Sequence, residues 1–225
     1  MKNRLPLLLS ALTKFLCGLL LVALLLFLPA GTWRYPEGWL FVGLLFVPML
    51  ILGAVLLVKA PDLLRKRLNS KEKESSQRGV VALSGLLFVA GFVVAGLDHR
   101  FGWTHVPRPV IIVASVILLL SYALYAEVMR ENAYLSRTVE VQEGQRVIDT
   151  GLYAIVRHPM YAVTIWLFLS MPLVLGSWLA LICFAHYPIL IVLRIRGEEA
   201  VLTAGLHGYE DYKKKVKYRL LPLIW

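Results

Sequence analysis

The sequence predicts an all-α, polytopic membrane protein with about six transmembrane helical segments, and three observations carry that reading. Hydrophobic residues make up 59% of the 225 residues and the mean hydropathy is +0.70, more apolar surface than one soluble core of this length needs. The apolar residues come in blocks, most of them near the roughly 20 residues that carry a helix across a hydrocarbon core of about 30 Å. Basic residues gather in the stretches between alternate blocks.

The blocks run Phe15 to Leu28, Trp39 to Val58, Val80 to Leu97, Val110 to Val128, and Met160 to Val192, the last interrupted near Gly176. The first is short, but Leu5 to Leu12 precede it, and Lys14 can run its stem along the helix and place its ammonium at the headgroups. A spanning helix fits better than a cleavable signal peptide, because a second apolar block follows at once and the stretch is long for a signal. The fifth block would be about 50 Å long as one helix, too long for an upright span. Pro172 and Gly176-Ser177 divide it. A turn there makes a helical hairpin with arms Met160 to Val174 and Ser177 to Val192, each a little short for a full crossing. Short cytoplasmic helices complete the fold.

All but Arg34, Arg100 and Arg108 of the 24 Lys and Arg residues fall on one side of this topology, so the positive-inside rule places both termini in the cytoplasm. The net charge of +10 is then accounted for by topology and attraction to anionic lipid headgroups, with no need of a nucleic-acid partner. Cys17 and Cys183 lie inside apolar segments without a Cys-x-x-Cys pair and read as packing residues. Asp98, His99 and His105 share an outer loop; polar loop residues are a better account of them than a metal site, and no metal is expected. The chain reads as one membrane domain, residues 1–128 supplying transmembrane helices and 129–225 the chemistry.

From Met129 to Arg157 the composition turns too polar for lipid, with Arg130, Glu131, Asn132, Arg137, Glu140, Glu143, Arg146 and Asp149. Glu127 and Glu131, beside Arg130, are equally well read as a solvated helix end or as substrate contacts. The segment ends in Gly151-Leu152-Tyr153-Ala154-Ile155-Val156-Arg157-His158-Pro159-Met160-Tyr161. Proline fits the first turn of a helix, where its missing N–H would be unpaired anyway. His158 therefore sits at or beside the N-cap, and the helix end offers a positive dipole to a carboxylate or phosphate. After the hairpin come Arg194, Arg196, Glu198 and Glu199, then Tyr209 and Tyr212, then Lys213 to Arg219. The hairpin brings its ends together, so His158 and Tyr161 should meet the stretch from Arg194 to Glu199.

Gly151-x-Tyr153-x-x-x-Arg157-His158-Pro159-x-Tyr161, followed by Glu198-Glu199-x-x-Leu202 and Tyr209-x-x-Tyr212 before Pro222, resembles the isoprenylcysteine carboxyl methyltransferase and phospholipid methyltransferase family. Asn132-x-x-x-Ser136 is similar to the stretch that leads into the family's site. The resemblance covers roughly Glu131 to Trp225; residues 1–128 share only their transmembrane character. Val163 stands where the family often has Gly. The resemblance implies methyl transfer from S-adenosylmethionine to a lipidic acceptor entering sideways from the bilayer, with a carboxyl O-methyltransferase favoured and a phospholipid N-methyltransferase as the alternative.

The implied site has Arg157, Arg194 and Glu198 in catalysis, and Tyr153, His158, Pro159, Tyr161, Glu198, Glu199 and Tyr209 around the cofactor. Chemically, Glu198 or Glu199 suits the cofactor's ammonium or ribose, Arg157 or the Pro159 helix end its carboxylate, and Tyr153, Tyr161 or Tyr209 its adenine or sulfonium face. The same residues also have structural readings. Arg157 and His158 suit headgroup anchors, Glu198 and Glu199 suit exposed pairs with Arg194 or Arg196, and the tyrosines suit an interfacial belt. Two other classes share the pattern: a sterol-reductase-like enzyme using NADPH, since some sterol reductases are similar in this membrane portion, and a non-catalytic protein of the same fold.

Overall fold

The computed structural model describes residues 4–69, 72 and 74–225, without the side chains of 75 and 76. Lys2 and, between the second and third apolar blocks, Ser70, Lys71 and Lys73 lie outside the described residues. Nine α-helices are described: α1 Leu5–Ala30, α2 Pro36–Lys59, α3 Pro61–Leu68, α4 Ser75–Phe101, α5 Arg108–Glu131, α6 Pro159–Val174, α7 Trp178–Phe184, α8 Tyr187–Gly205 and α9 Tyr209–Lys215, with a 3₁₀ turn at Gly151–Ala154. Five stretches are long and apolar enough to cross a membrane: α1, α2, Gln77–Phe101 of α4, α5, and α7 with α8 taken together; α6 is a shorter apolar helix. This is the all-α polytopic membrane fold expected from the blocks of apolar sequence.

Only 11% of the most apolar stretch of α1, and of α2, is buried inside the protein, against 39% for the last span. The first two helices therefore turn most of their surface to lipid, and the hairpin forms the interior. α6 packs against α5, α1 against α4, and α7 against α4. Phe41, Phe92, Leu118, Met171, Val174, Phe184 and Tyr187 interlock in the resulting core. α1 is continuous through Lys14, whose Nζ donates to the carbonyl of Leu68 at 2.5 Å. The ammonium thus caps the end of α3, where the last carbonyls of a helix lack intrahelical partners.

The hairpin turns where its glycine allows. Gly176 adopts φ +76°, a left-handed conformation that side chains with a Cβ resist. Ser177 caps α7 by accepting from the N–H of Ala180. The first arm is short, about 24 Å, and its tip is held by groups at the ends of α2 and α4: Tyr35 donates its hydroxyl to the Leu175 carbonyl at 2.6 Å, and Asp98 accepts from Ser177 Oγ at 2.5 Å. Asp98 also receives the Thr104 N–H and hydroxyl, while His99 stacks on Tyr35 at 4.0 Å and His105 gives its carbonyl to the Trp178 indole. Asp98 and His99 stand in the last turn of α4 rather than in a loop with His105, and all three are used in packing the tip.

The second arm differs from the expected Ser177 to Val192. It breaks after Phe184, restarts at Tyr187 with Pro188 in its first turn, and continues to Gly205. Glu198 and Glu199 therefore stand on α8 itself rather than after the hairpin. The extension follows from the good helix formers Arg194, Arg196, Glu198, Glu199, Ala200 and Leu202, which carry the helix across Gly197.

Candidate functional site

The turn before α6 is built around Gly151, at φ +52°. A Cβ there would lie 1.5 Å from Glu131 Oε1, and Glu131 Oε2 accepts the Leu152 N–H at 3.1 Å. Glu131 thus clamps this turn from the end of α5, while Glu127 pairs with Arg130 through two contacts of 2.8 and 2.6 Å at the surface. Glu127 is thus the solvated helix end, whereas Glu131 takes a positioning role that neither of the two readings, solvated end or substrate contact, had offered. His158 is the N-cap of α6 and Pro159 its first residue, as the proline predicted.

The C-terminal segment lies against this turn. The N–H groups of Arg157 and His158 donate to the carbonyls of Tyr218 and Arg219, both at 2.9 Å. Arg157 Nη1 donates to the carbonyls of Val216 and Lys217 at 2.7 and 2.9 Å. Glu199 sits at the centre: its Oε1 faces Arg157 Nε at 2.8 Å and His158 Nε2 at 3.2 Å, and its Oε2 accepts from Arg219 Nε at 2.8 Å. Arg157, His158 and Glu199 are all buried. A carboxylate with this many charged donors replaces water with fixed partners.

Glu198, one residue earlier, points elsewhere. Its Oε2 accepts from Tyr161 Oη at 2.6 Å, and Arg194 Nε lies 3.4 Å from the same phenol oxygen. Arg194 also binds Glu72 at 2.7 Å and the Arg137 carbonyl at 2.8 Å. It thereby fastens α8 to the loop between α3 and α4 and to the segment after α5.

Between these groups opens a narrow cleft of about 90 Å³. Tyr153, Arg157, His158, Tyr161, Arg194, Glu198 and Tyr209 line it; Pro159 and Glu199 do not. Val163 is buried away from the lining. The opposite wall comes from the polar segment after α5, including Asn132, Ser136, Thr138, Glu140, Gln145 and Arg146. Composition marked that segment as non-lipidic, yet no spacing in it pointed to individual residues beyond Asn132 and Ser136. Glu72, which holds Arg194, carried no sequence signal at all.

The tyrosines divide by their hydrogen bonds. Tyr212 donates to the Tyr153 carbonyl at 2.8 Å, and Tyr153 Oη receives Asn132 Nδ2 at 3.0 Å. Tyr209 has a buried hydroxyl that makes no hydrogen bond among the described residues. Burial, and then the Glu199 carboxylate, hold that phenol well above its ordinary pKa, so it remains a protonated donor. A buried donor on a cleft wall with no acceptor asks for one from a ligand, since leaving it unmet costs about 1–3 kcal/mol.

Two motifs distant in sequence thus share one cleft, and the comparison with known families centres on the same segment. Residues 111–204 match the model of the isoprenylcysteine carboxyl methyltransferase (ICMT) family. The match takes in the Arg157-His158-Pro159 turn, the whole hairpin and the paired glutamates of α8, and it supports the family assignment made from the motifs. The chain is also similar to the uncharacterized protein YpbQ of Bacillus subtilis (strain 168), 30% identical over 91 residues. That alignment covers 40% of this chain and 54% of the relative, so the chain spans about half the length of the curated protein it matches.

Proposed function

We propose that the protein is an integral membrane methyltransferase of the ICMT type, transferring a methyl group from S-adenosylmethionine to a lipid-like acceptor. The observation that carries the reading is the meeting of Arg157, His158 and Tyr161 with Arg194 and Glu198 on one cleft, beside the unpartnered hydroxyl of Tyr209. The lining suits a ligand that is zwitterionic and aromatic: a carboxylate for an ammonium or ribose hydroxyls, arginines for a carboxylate, phenol rings for an adenine. S-adenosylmethionine would supply a methyl group already activated on its sulfonium, departing as the neutral thioether once the acceptor takes the methyl. Glu198 holds the ammonium or ribose; Arg157 faces the carboxylate; Tyr209 donates to a ligand oxygen or ring nitrogen. Arg194, tied at three points, keeps the phenol of Tyr161 and the carboxylate of Glu198 in place. Pro159 and Glu199 support this lining from behind. Catalysis is then chiefly orientation and exclusion of water.

Purified protein in detergent is expected to bind S-adenosylmethionine or its demethylated product with micromolar or tighter Kd by calorimetry, and to show no saturable binding of NADPH. Binding of NADPH alone would replace this reading with the reductase one; binding of neither would leave a non-catalytic membrane protein. A phospholipid amine acceptor would need a base to remove its proton, whereas an ionised oxygen acid would not, which is why the O-methyl reading is preferred.

The cleft lies on the side of the protein that carries most of the basic residues, the side assigned to the cytoplasm together with both termini and their anionic headgroup contacts. With Cys17 and Cys183 replaced by serine, Lys214→Cys should react with an impermeant maleimide only after cells are opened, and Arg34→Cys in intact cells. The reverse pattern would invert the topology.

A further inference from the structure

Arg194 and Glu198 stand four residues apart on α8, the spacing at which a basic and an acidic side chain share one face of a helix and pair across a turn. Here they do not pair with each other. Arg194 Nη1 lies 2.7 Å from Glu72 Oε2 instead, and Nη2 donates to the Arg137 carbonyl at 2.8 Å. The phenol of Tyr161 stands between the two, 2.6 Å from Glu198 Oε2 and 3.4 Å from Arg194 Nε. Glu199, the neighbouring acid, meets two arginines and a histidine. Glu198, by contrast, makes no ion pair among the described residues, and its hydrogen bond there comes from a neutral hydroxyl. It is a carboxylate on the cleft lining whose charge is not compensated by the protein.

Glu72 comes from the connection between α3 and α4, and a glycine brings it within reach. Gln77, in the first turn of α4, is buried against α8 at Gly197, where an added Cβ would lie 1.8 Å from Gln77 Nε2. The missing side chain at 197 lets the start of α4 close on α8 beside Arg194. Glu72 is fixed from its other oxygen too, since Oε1 accepts the Val139 N–H at 3.2 Å. The Arg194–Glu72 pair is nearly closed to solvent, with side-chain exposures of 11% and 6%, so water and salt screen it little. An arginine deprived of Glu72 would be left half-buried without its acid, and the nearest carboxylate on its own helix face is Glu198.

We propose that Glu72 is a positioning residue that holds Arg194 away from Glu198 and so keeps the Glu198 carboxylate open for the ammonium of the cofactor. Glu72 is not part of the cleft lining. It acts through Arg194, neutralising the guanidinium so that a net negative charge remains where a ligand cation can meet it. This rests on the S-adenosylmethionine reading and adds to it, because the charge of the site is then set by a residue outside the matched segment 111–204.

The test measures two ligands by calorimetry on purified full-length protein in detergent. S-adenosylhomocysteine carries the ammonium; 5′-methylthioadenosine keeps the adenine and ribose but lacks the amino-acid part. Glu72→Gln should weaken S-adenosylhomocysteine about 10-fold or more and leave 5′-methylthioadenosine unchanged, because the freed guanidinium turns to Glu198 and cancels the charge that meets the ammonium. Removing that guanidinium in the same chain, Glu72→Gln with Arg194→Gln, should restore part of the S-adenosylhomocysteine affinity. A tether that merely kept the cleft in shape would weaken both ligands together and show no recovery in the double variant, and that result overturns the proposal. Parent-like binding of S-adenosylhomocysteine by Glu72→Gln overturns it too, as does loss of the fold in that variant, seen as a lowered unfolding midpoint with neither ligand bound. Failure of the cofactor reading shows differently, as no binding of either ligand by the folded parent protein.

Discussion

Glu199→Ala is expected to destabilise the protein by about 3–5 kcal/mol, the usual consequence of removing one partner from a buried ion pair. The carboxylate meets Arg157, His158 and Arg219, and the first two are buried. Without it, the Arg157 guanidinium stays inside with its Nε unpaired, and the pairing of residues 157 and 158 with 218 and 219 loses its side-chain support. A lower unfolding midpoint in detergent and faster hydrogen exchange at Arg157 and His158 should show this. Arg157→Met in the same chain should recover part of the loss, because an apolar pair of similar volume removes the stranded charge. A parent-like midpoint with only cofactor binding reduced would return Glu199 to the cleft.

Glu198→Gln is expected to do the opposite. The amide oxygen can still accept from Tyr161, so stability should stay within about 0.5 kcal/mol of the parent. The charge that faces the cleft is lost, and with it a charge-assisted contact worth roughly 1.5–3 kcal/mol, about 10- to 150-fold in cofactor Kd. Calorimetry with S-adenosylmethionine on the folded variant decides it; unchanged affinity would remove Glu198 from the cofactor site. Read from sequence, both glutamates were equal candidates for the ammonium or ribose. The structure separates them into one that faces the ligand space and one that holds the scaffold.

That separation shows why the site was only partly legible. Adjacent residues on a helix diverge by about 100°, and which of them faces the cleft depends on how α8 is rotated against α6 and the C-terminal segment. The tyrosines differ in another way: Tyr209 and Tyr212 both line the cleft, but Tyr209 has no hydrogen-bond partner among the described residues while Tyr212 spends its hydroxyl on the Tyr153 carbonyl. Pro159 was placed correctly as a helix start, yet the cleft opens beside His158 and Met160 rather than at the proline.

The sequence by itself determined the elements: the apolar lengths that make spanning helices, the turn at Gly176, the helix start at Pro159, and the meeting of the two motifs that a hairpin requires. These are local properties, written in windows of a few to twenty residues where hydrophobic length, turn chemistry and capping act. Only the tertiary structure decided that Glu72 reaches Arg194 across 122 residues of sequence, and that residues 216–219 close over Arg157. Such contacts are made between surfaces whose relative rotation and depth are set by packing of α5 on α6 and α4 on α7, and no single window of sequence carries that information.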